Sequence, residues 1–104
     1  MTSLTQWERL HDATLLHIEA HWESGIATLH LQTGVPEMAQ AQLRAHDFRR
    51  IECPRQQEWG PSCSINQIRE PPPGPSPEYQ HLEIEMQSGD VIRVEAVHFD
   101  LVVT

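Results

Sequence analysis

Seven histidines in a chain of 104 residues are the compositional oddity of this protein. Imidazole is a general base and the commonest metal ligand, so their spacing is the first thing to weigh. His17 and His21 stand four apart. On a helix they would meet, as in zinc-binding helices, but the residues between them do not match that motif. On a strand they share a face about 13 Å apart, too far to hold one ion together. A hairpin after His21 would set His30 opposite His17, with Glu19 beside them. Two imidazoles alone fall short of a full ligand set, and Glu19 nearby would complete at most a weak surface site. These residues therefore read as the wet side of a sheet, and no metal or other cofactor is expected.

Nucleophilic chemistry has weaker support. Ser62 or Ser64 could in principle join a histidine and an acid, but no nucleophile-elbow sequence is present. A triad is defined by geometry, and a histidine-rich chain offers such combinations by chance. His11-Asp12 are sequence neighbours, so on a strand they point to opposite faces. Asp12 reads as a turn or cap residue. The chain contains no lysine, which removes the Walker-type phosphate lysine and Schiff-base chemistry. No catalytic residue is assigned, and the chain is not expected to be an enzyme.

Binding is the better-supported class. Trp59-Gly60-Pro61-Ser62 places a large amphipathic ring on a stiff loop, with Arg55 before it and Asn66 and Arg69 after it. Trp and Arg dominate protein-binding hot spots. Trp59, Arg55, Ser62, Asn66 and Arg69 are therefore the candidate binding residues. The competing reading folds Trp59 back as a lid on the core, with Asn66 bonding the loop backbone.

Charge narrows the partners. The formal net charge is -8: -4 over residues 1–40, +2 over 41–69 and -6 over 70–104. Duplex nucleic acid is repelled by most of such a surface, because phosphate affinity comes largely from Lys and Arg. Arg44, Arg49, Arg50, Arg55 and Arg69 could serve a local anionic contact, but the preferred reading is that they pair with neighbouring acids or are simply solvated. Glu83, Glu85 and Glu95, with Asp90 at a turn, should make one strongly negative sheet face. No basic-then-apolar leader and no membrane-length apolar run is present, so a cytoplasmic protein with no membrane partner is expected. Cys53 and Cys63 are too few for a secreted disulfide framework, and a reducing compartment disfavours a bond between them.

Positioning falls to strands. In 13–22, Leu16, Ile18, Ala20 and Trp22 alternate with Leu15, His17, Glu19 and His21. In 26–33, Ala27, Leu29 and Leu31 face inward. For Ile18, Ala20 and Trp22 to share that face, paired positions must sum to an odd number, which requires a two- or four-residue loop. Gly34-Val35-Pro36 breaks the chain. Residues 37–50 carry both a helical stripe and an alternating one; the preferred reading is a strand from about 41 to 53 with a bulge near His46-Asp47. Residues 54–62 are a loop, and 63–69 a short strand with Cys63, Ile65 and Gln67 on one face. Glu70 to Glu78 is a proline-rich connector.

Leu82, Ile84 and Met86, then Ile92, Val94 and Ala96, form the clearest hairpin. Their even-even pairing selects a three-residue loop, Gln87-Ser88-Gly89, with Gly89 left-handed. After Ala96 the phase slips to Val97, Phe99, Leu101 and Val103. Left uncovered, that 97–103 tail would be an edge for homo-oligomerisation. Together these features predict one all-β, or β-rich α+β, domain over 1–104. About six antiparallel strands would form a sandwich or partly open barrel.

Three stretches, His11-Asp12-Ala13 through Trp22, Cys53-Pro54-Arg55 with Trp59-Gly60-Pro61-Ser62-Cys63-Ser64-Ile65-Asn66, and Leu82 through Asp90, resemble a family of small uncharacterised bacterial proteins. The resemblance spans roughly residues 10–99 and implies no established activity or ligand. Where this chain has Cys63 that family more often carries Val, which argues further against a required disulfide. The opening His-Asp-Ala strand is also similar to some bacterial toxin-immunity proteins. The expectation is a non-enzymatic protein-binding module, with an immunity-type protein as one form of it. A small hydrolase or metal-binding protein is the alternative, and it requires histidines from different strands to converge with an acid such as Asp12, Asp90 or Asp100.

Overall fold

Strict alternation becomes strand wherever one face can be buried. In the computed structural model, which describes residues 7–33, 40–56, 62–71 and 78–103, six strands form: β1 (Thr14–His21), β2 (Ile26–Gln32), β3 (Gln40–Glu52), β4 (Ile65–Arg69), β5 (Gln80–Met86) and β6 (Val91–Val103). They lie in one sheet of order β1-β2-β3-β6-β5-β4, with every neighbouring pair antiparallel. Two three-stranded meanders are thus joined through their long third strands. The expected all-β class holds, and 37–50 is resolved as strand from Gln40 onward. The sheet is not split into a sandwich.

Nor does it close into a barrel. It bends until its two edge strands touch at one end, through a bridge between Thr14 and Ser64. The Leu15 amide donates to the Cys63 carbonyl at 2.7 Å, and Ile65 N to Ala13 O at 2.9 Å. Beyond Leu15 the outer edge of β1 has no partner strand among the described residues. A radius of gyration of 13.2 Å matches the roughly 13 Å of a compact unit of about 100 residues.

The concave side is the core. It holds Ala27, Leu29 and Leu31 of β2; Ala41, Leu43 and Ala45 of β3; Leu82, Ile84 and Met86 of β5; and Ile92, Val94, Ala96 and Phe99 of β6. Trp7 and Leu10, on a turn before β1, are buried with them. The β5–β6 hairpin has the expected three-residue loop: Gly89 sits at φ 104° and Met86 N bonds Asp90 O at 2.8 Å. The β1–β2 loop has four residues, and its paired positions sum to an odd number, as in Ile18 with Leu29.

Two local expectations are corrected. Leu16, Ala20 and Trp22 were expected to face inward, but all three are exposed, Trp22 at 90%. A bulge between Leu15 and His17 turns Leu16 out, and at the sheet edge Ala20 and Trp22 stay exposed, with the Trp22 ring meeting only that of Phe48, edge-on at 6.5 Å, among the described residues. In β4 a bulge between Ile65 and Gln67 brings Ile68, not Gln67, to the buried side with Ile65. The phase slip after Ala96 is shared with β3. Both strands skip a residue at the same level, from Ala45 to Phe48 and from Ala96 to Phe99, where Asp47 takes a left-handed φ of 54°. The 97–103 tail is therefore covered by β3 along one edge, while β5 accompanies β6 only as far as Ala96.

Candidate functional site

The convex face of β1, β2, β3 and β6 gathers most of the chain's histidines. Residues opposite one another in a ladder share a face, and alternation repeats that face every second residue. The registers therefore set out three rows: His17, His30, Gln42 and Val102; Glu19, Thr28, Arg44 and Asp100; His21, Ile26, His46 and His98. Five of the seven histidines lie here. Thr28 shares the face yet is only 7% exposed, so the long polar side chains around it lie over the sheet.

Two clusters form on this face. At the edge, the His17 and His30 rings stack at 4.1 Å, and His30 Nε2 lies 2.7 Å from Glu19 Oε1. His21 Nε2 stands 3.7 Å from the other Glu19 oxygen. The hydrogen bond from His30, with the nearby imidazoles, holds the Glu19 carboxyl below its ordinary value of 4.5. At the centre, His46 Nε2 meets Asp100 Oδ2 at 3.0 Å, and the His98 ring lies 5.3 Å from that of His46. Each cluster offers two imidazoles and one carboxylate whose ligand atoms lie within 4.8 Å of one another. His17 and His21, the pair the sequence brings forward, do not share a cluster centre.

The residues expected to bind are divided between two places. Arg55 and Ser62 line a cleft of about 390 Å³ between β1 and the loop after β3, together with Cys53 and Cys63. Both thiols are free, and burial pushes that of Cys53 up. Ser62 Oγ accepts from the Ser64 amide at 3.1 Å, which ties down the entry to β4. Asn66 and Arg69 instead line an open groove beside Trp7. The Asn66 carbonyl lies 2.5 Å from His11 Nδ1. Arg69 is clamped by its own sheet, to Glu83 at 3.1 Å and Glu85 at 2.6 Å. Trp59 lies outside the described residues, as do 34–39 and most of the proline-rich connector.

The second outer face differs from its expected character. Glu83, Glu85 and Glu95 do not form a bare negative surface. Glu83 is paired with Arg69 and Arg93, Glu85 with Arg69, and Glu95 with Arg49 and His81. Arg49 also covers the Tyr79 ring at 4.0 Å. Gln67 and Arg69 hold Glu85, and Arg49 holds Glu95, below the usual carboxylate value. Arg50 pairs with Glu52. These arginines are used internally, as their spacing among acids suggests. Asp90 is buried, accepting from the Gln56 amide at 3.3 Å and from Ser88 Oγ at 3.2 Å.

Sequence reasoning missed the central cluster. His46 and Asp100 are 54 residues apart, and only the β3–β6 register unites them. Asp100 is one of the acids a histidine site could draw on, but nothing local pairs it with His46.

Fold and site together define a class: an open, six-stranded antiparallel β domain with a histidine-bearing convex face. No family model matches the chain, and no curated protein matches it. Among solved structures it is similar to an uncharacterised protein from Neisseria gonorrhoeae, with a TM-score of 0.65 and 14% identity over 88% of this chain and 90% of that one. At that identity the likeness speaks for the fold alone.

Proposed function

We propose that the protein is a non-enzymatic module that binds another protein along the outer edge of β1, and that this partner is basic. One observation carries the reading: Trp22 is 90% exposed at the end of a strand whose outer edge is unpaired beyond Leu15 among the described residues. An indole usually buries most of its area. Leu16, at 50%, adds a second exposed apolar side chain on the same strand. A free edge supplies backbone donors and acceptors to an incoming strand, and flanking apolar groups supply specificity. Charge selects the partner's sign. Arg49, Arg50, Arg69 and Arg93 are neutralised by the chain's own acids, so the excess of -8 is what an approaching protein meets. Neutralising a basic bacterial toxin is a specific form of this function.

The test compares immobilised wild-type protein with Leu16→Lys and Trp22→Lys in capture from the native lysate. A basic protein held by the wild type and released by both variants is the expected result. A partner retained by both variants overturns the reading. So does a dimeric mass of the isolated chain, by light scattering, that Leu16→Lys returns to monomer.

A further inference from the structure

The geometry points to a transition-metal site formed by His46, His98 and Asp100 on the convex face of the β3–β6 pair. The ligand class is a divalent ion that accepts mixed imidazole and carboxylate donors, with Zn²⁺ as the type case. Two nitrogens and one oxygen suit zinc, cobalt or nickel and do not suit calcium or magnesium, which take oxygen ligands. Three protein ligands leave a position for water, the pattern of an open site.

Three observations converge. First, the donors are already close: the three ligand atoms lie within 4.8 Å of one another, and His46 Nε2 and Asp100 Oδ2 stand at 3.0 Å. Donors bound at about 2.0–2.2 Å to one tetrahedral ion sit about 3.3–3.5 Å apart. Small side-chain rotations, mainly of exposed His98, reach that arrangement. Second, the donors stand on the two strands with the most extensive mutual pairing. β3 and β6 are the two longest strands, of 13 residues each, and they pair at the middle of the sheet. Third, Asp100 Oδ1 is buried with no hydrogen-bond partner among the described residues. A carboxylate oxygen withdrawn from water calls for a donor or a cation, and an ion held by Asp100 would supply one.

A plain ion pair between His46 and Asp100 accounts for Oδ2 alone. It leaves Oδ1 unmatched and gives His98 no role. Arg44 lies directly across from Asp100 in the ladder, but its guanidinium donates to Gln42 Oε1 at 3.2 Å. The carboxylate is thus left to the imidazole side. The edge cluster of His17, Glu19 and His30 differs. Its rings are stacked face to face, and both Glu19 oxygens already have imidazole partners. That makes it a self-satisfied polar cluster.

The test titrates the full chain, stripped with a chelator, with Zn²⁺ by calorimetry and with Co²⁺ by visible absorption. One Zn²⁺ per chain and the d–d bands of nitrogen-bound Co²⁺ are expected. His98→Ala and Asp100→Asn should each weaken binding by roughly tenfold or more, with circular dichroism unchanged. His17→Ala should leave it intact. No heat and no spectrum with the wild type overturns the proposal. So does binding that survives His98→Ala and Asp100→Asn, or binding that His17→Ala abolishes.

Discussion

His46 and Asp100 are not ladder partners, yet their side chains meet at 3.0 Å. His46 is directly opposite His98, and Asp100 is opposite Arg44. The contact runs along the diagonal of the β3–β6 ladder, a span that longer side chains bridge. Both groups are partly exposed, so water screens the attraction. In a double-mutant cycle with His46→Ala and Asp100→Ala, under chelator, the coupling should be about 0.2–1 kcal/mol. Urea unfolding measures it, and a coupling of zero would show the diagonal contact to be energetically idle.

Acid should destabilise the sheet through Glu19, Glu85 and Glu95. Their folded-state values lie below the ordinary 4.5 because hydrogen-bond donors and cations favour the charged form. The unfolded chain therefore takes up protons first. The resulting stabilisation is full above the unfolded value and is lost as pH falls through the lower folded values. The urea midpoint should drop as pH falls below about 5, and Glu85→Gln with Glu95→Gln should flatten that drop. A pH-independent midpoint would contradict these pairings.

Gly89 holds a φ of 104° at the tip of the β5–β6 hairpin. A side chain rarely adopts that conformation, so Gly89→Ala should cost about 1 kcal/mol or more. For a domain of this size that lowers Tm by roughly 4–8 °C. An unchanged melting curve would mean the three-residue loop does not persist.

Leu43 is 1% exposed in the core, whereas Trp22 is 90% exposed at the edge. Leu43→Ala should cost about 2–5 kcal/mol through lost burial and a residual cavity. Trp22→Ser should change stability by no more than about 0.5 kcal/mol. Equal losses in chemical denaturation would return Trp22 to the core and remove the binding edge.

Both cysteines are free, so a thiol reagent should label two groups per native chain. Burial raises the Cys53 thiol, which lowers its thiolate fraction. In a Cys63→Ser background, Cys53 should react more slowly than a small free thiol at the same pH. A native mass two protons short, with no labelling, would instead reveal a bridge.

What could be read along the chain was local. Alternation at 26–32 and 80–86 identified inward faces correctly, because the period of two is a property of one strand and its burial. The odd sum across β1–β2 and the three-residue loop at Gly89 followed from the same parity. The net charge of -8 was legible from composition, and Arg50 and Arg69 do pair with acids, whereas Arg44 turns to Gln42 and Arg49 finds its acid, Glu95, only across the sheet. Other features depended on which strands pair and in what register. Leu16 and Trp22 look like core residues in sequence, and only their place on an edge strand, with a bulge before His17, puts them in water. Asn66 and Arg69 are close to Ser62 along the chain but line a different surface. The central histidine cluster needed β3 to lie against β6 across more than 50 residues of chain. Side-chain periodicity tells each strand which way its residues point; the choice of neighbour is made by the burial of whole faces against one another, and that is settled only in three dimensions.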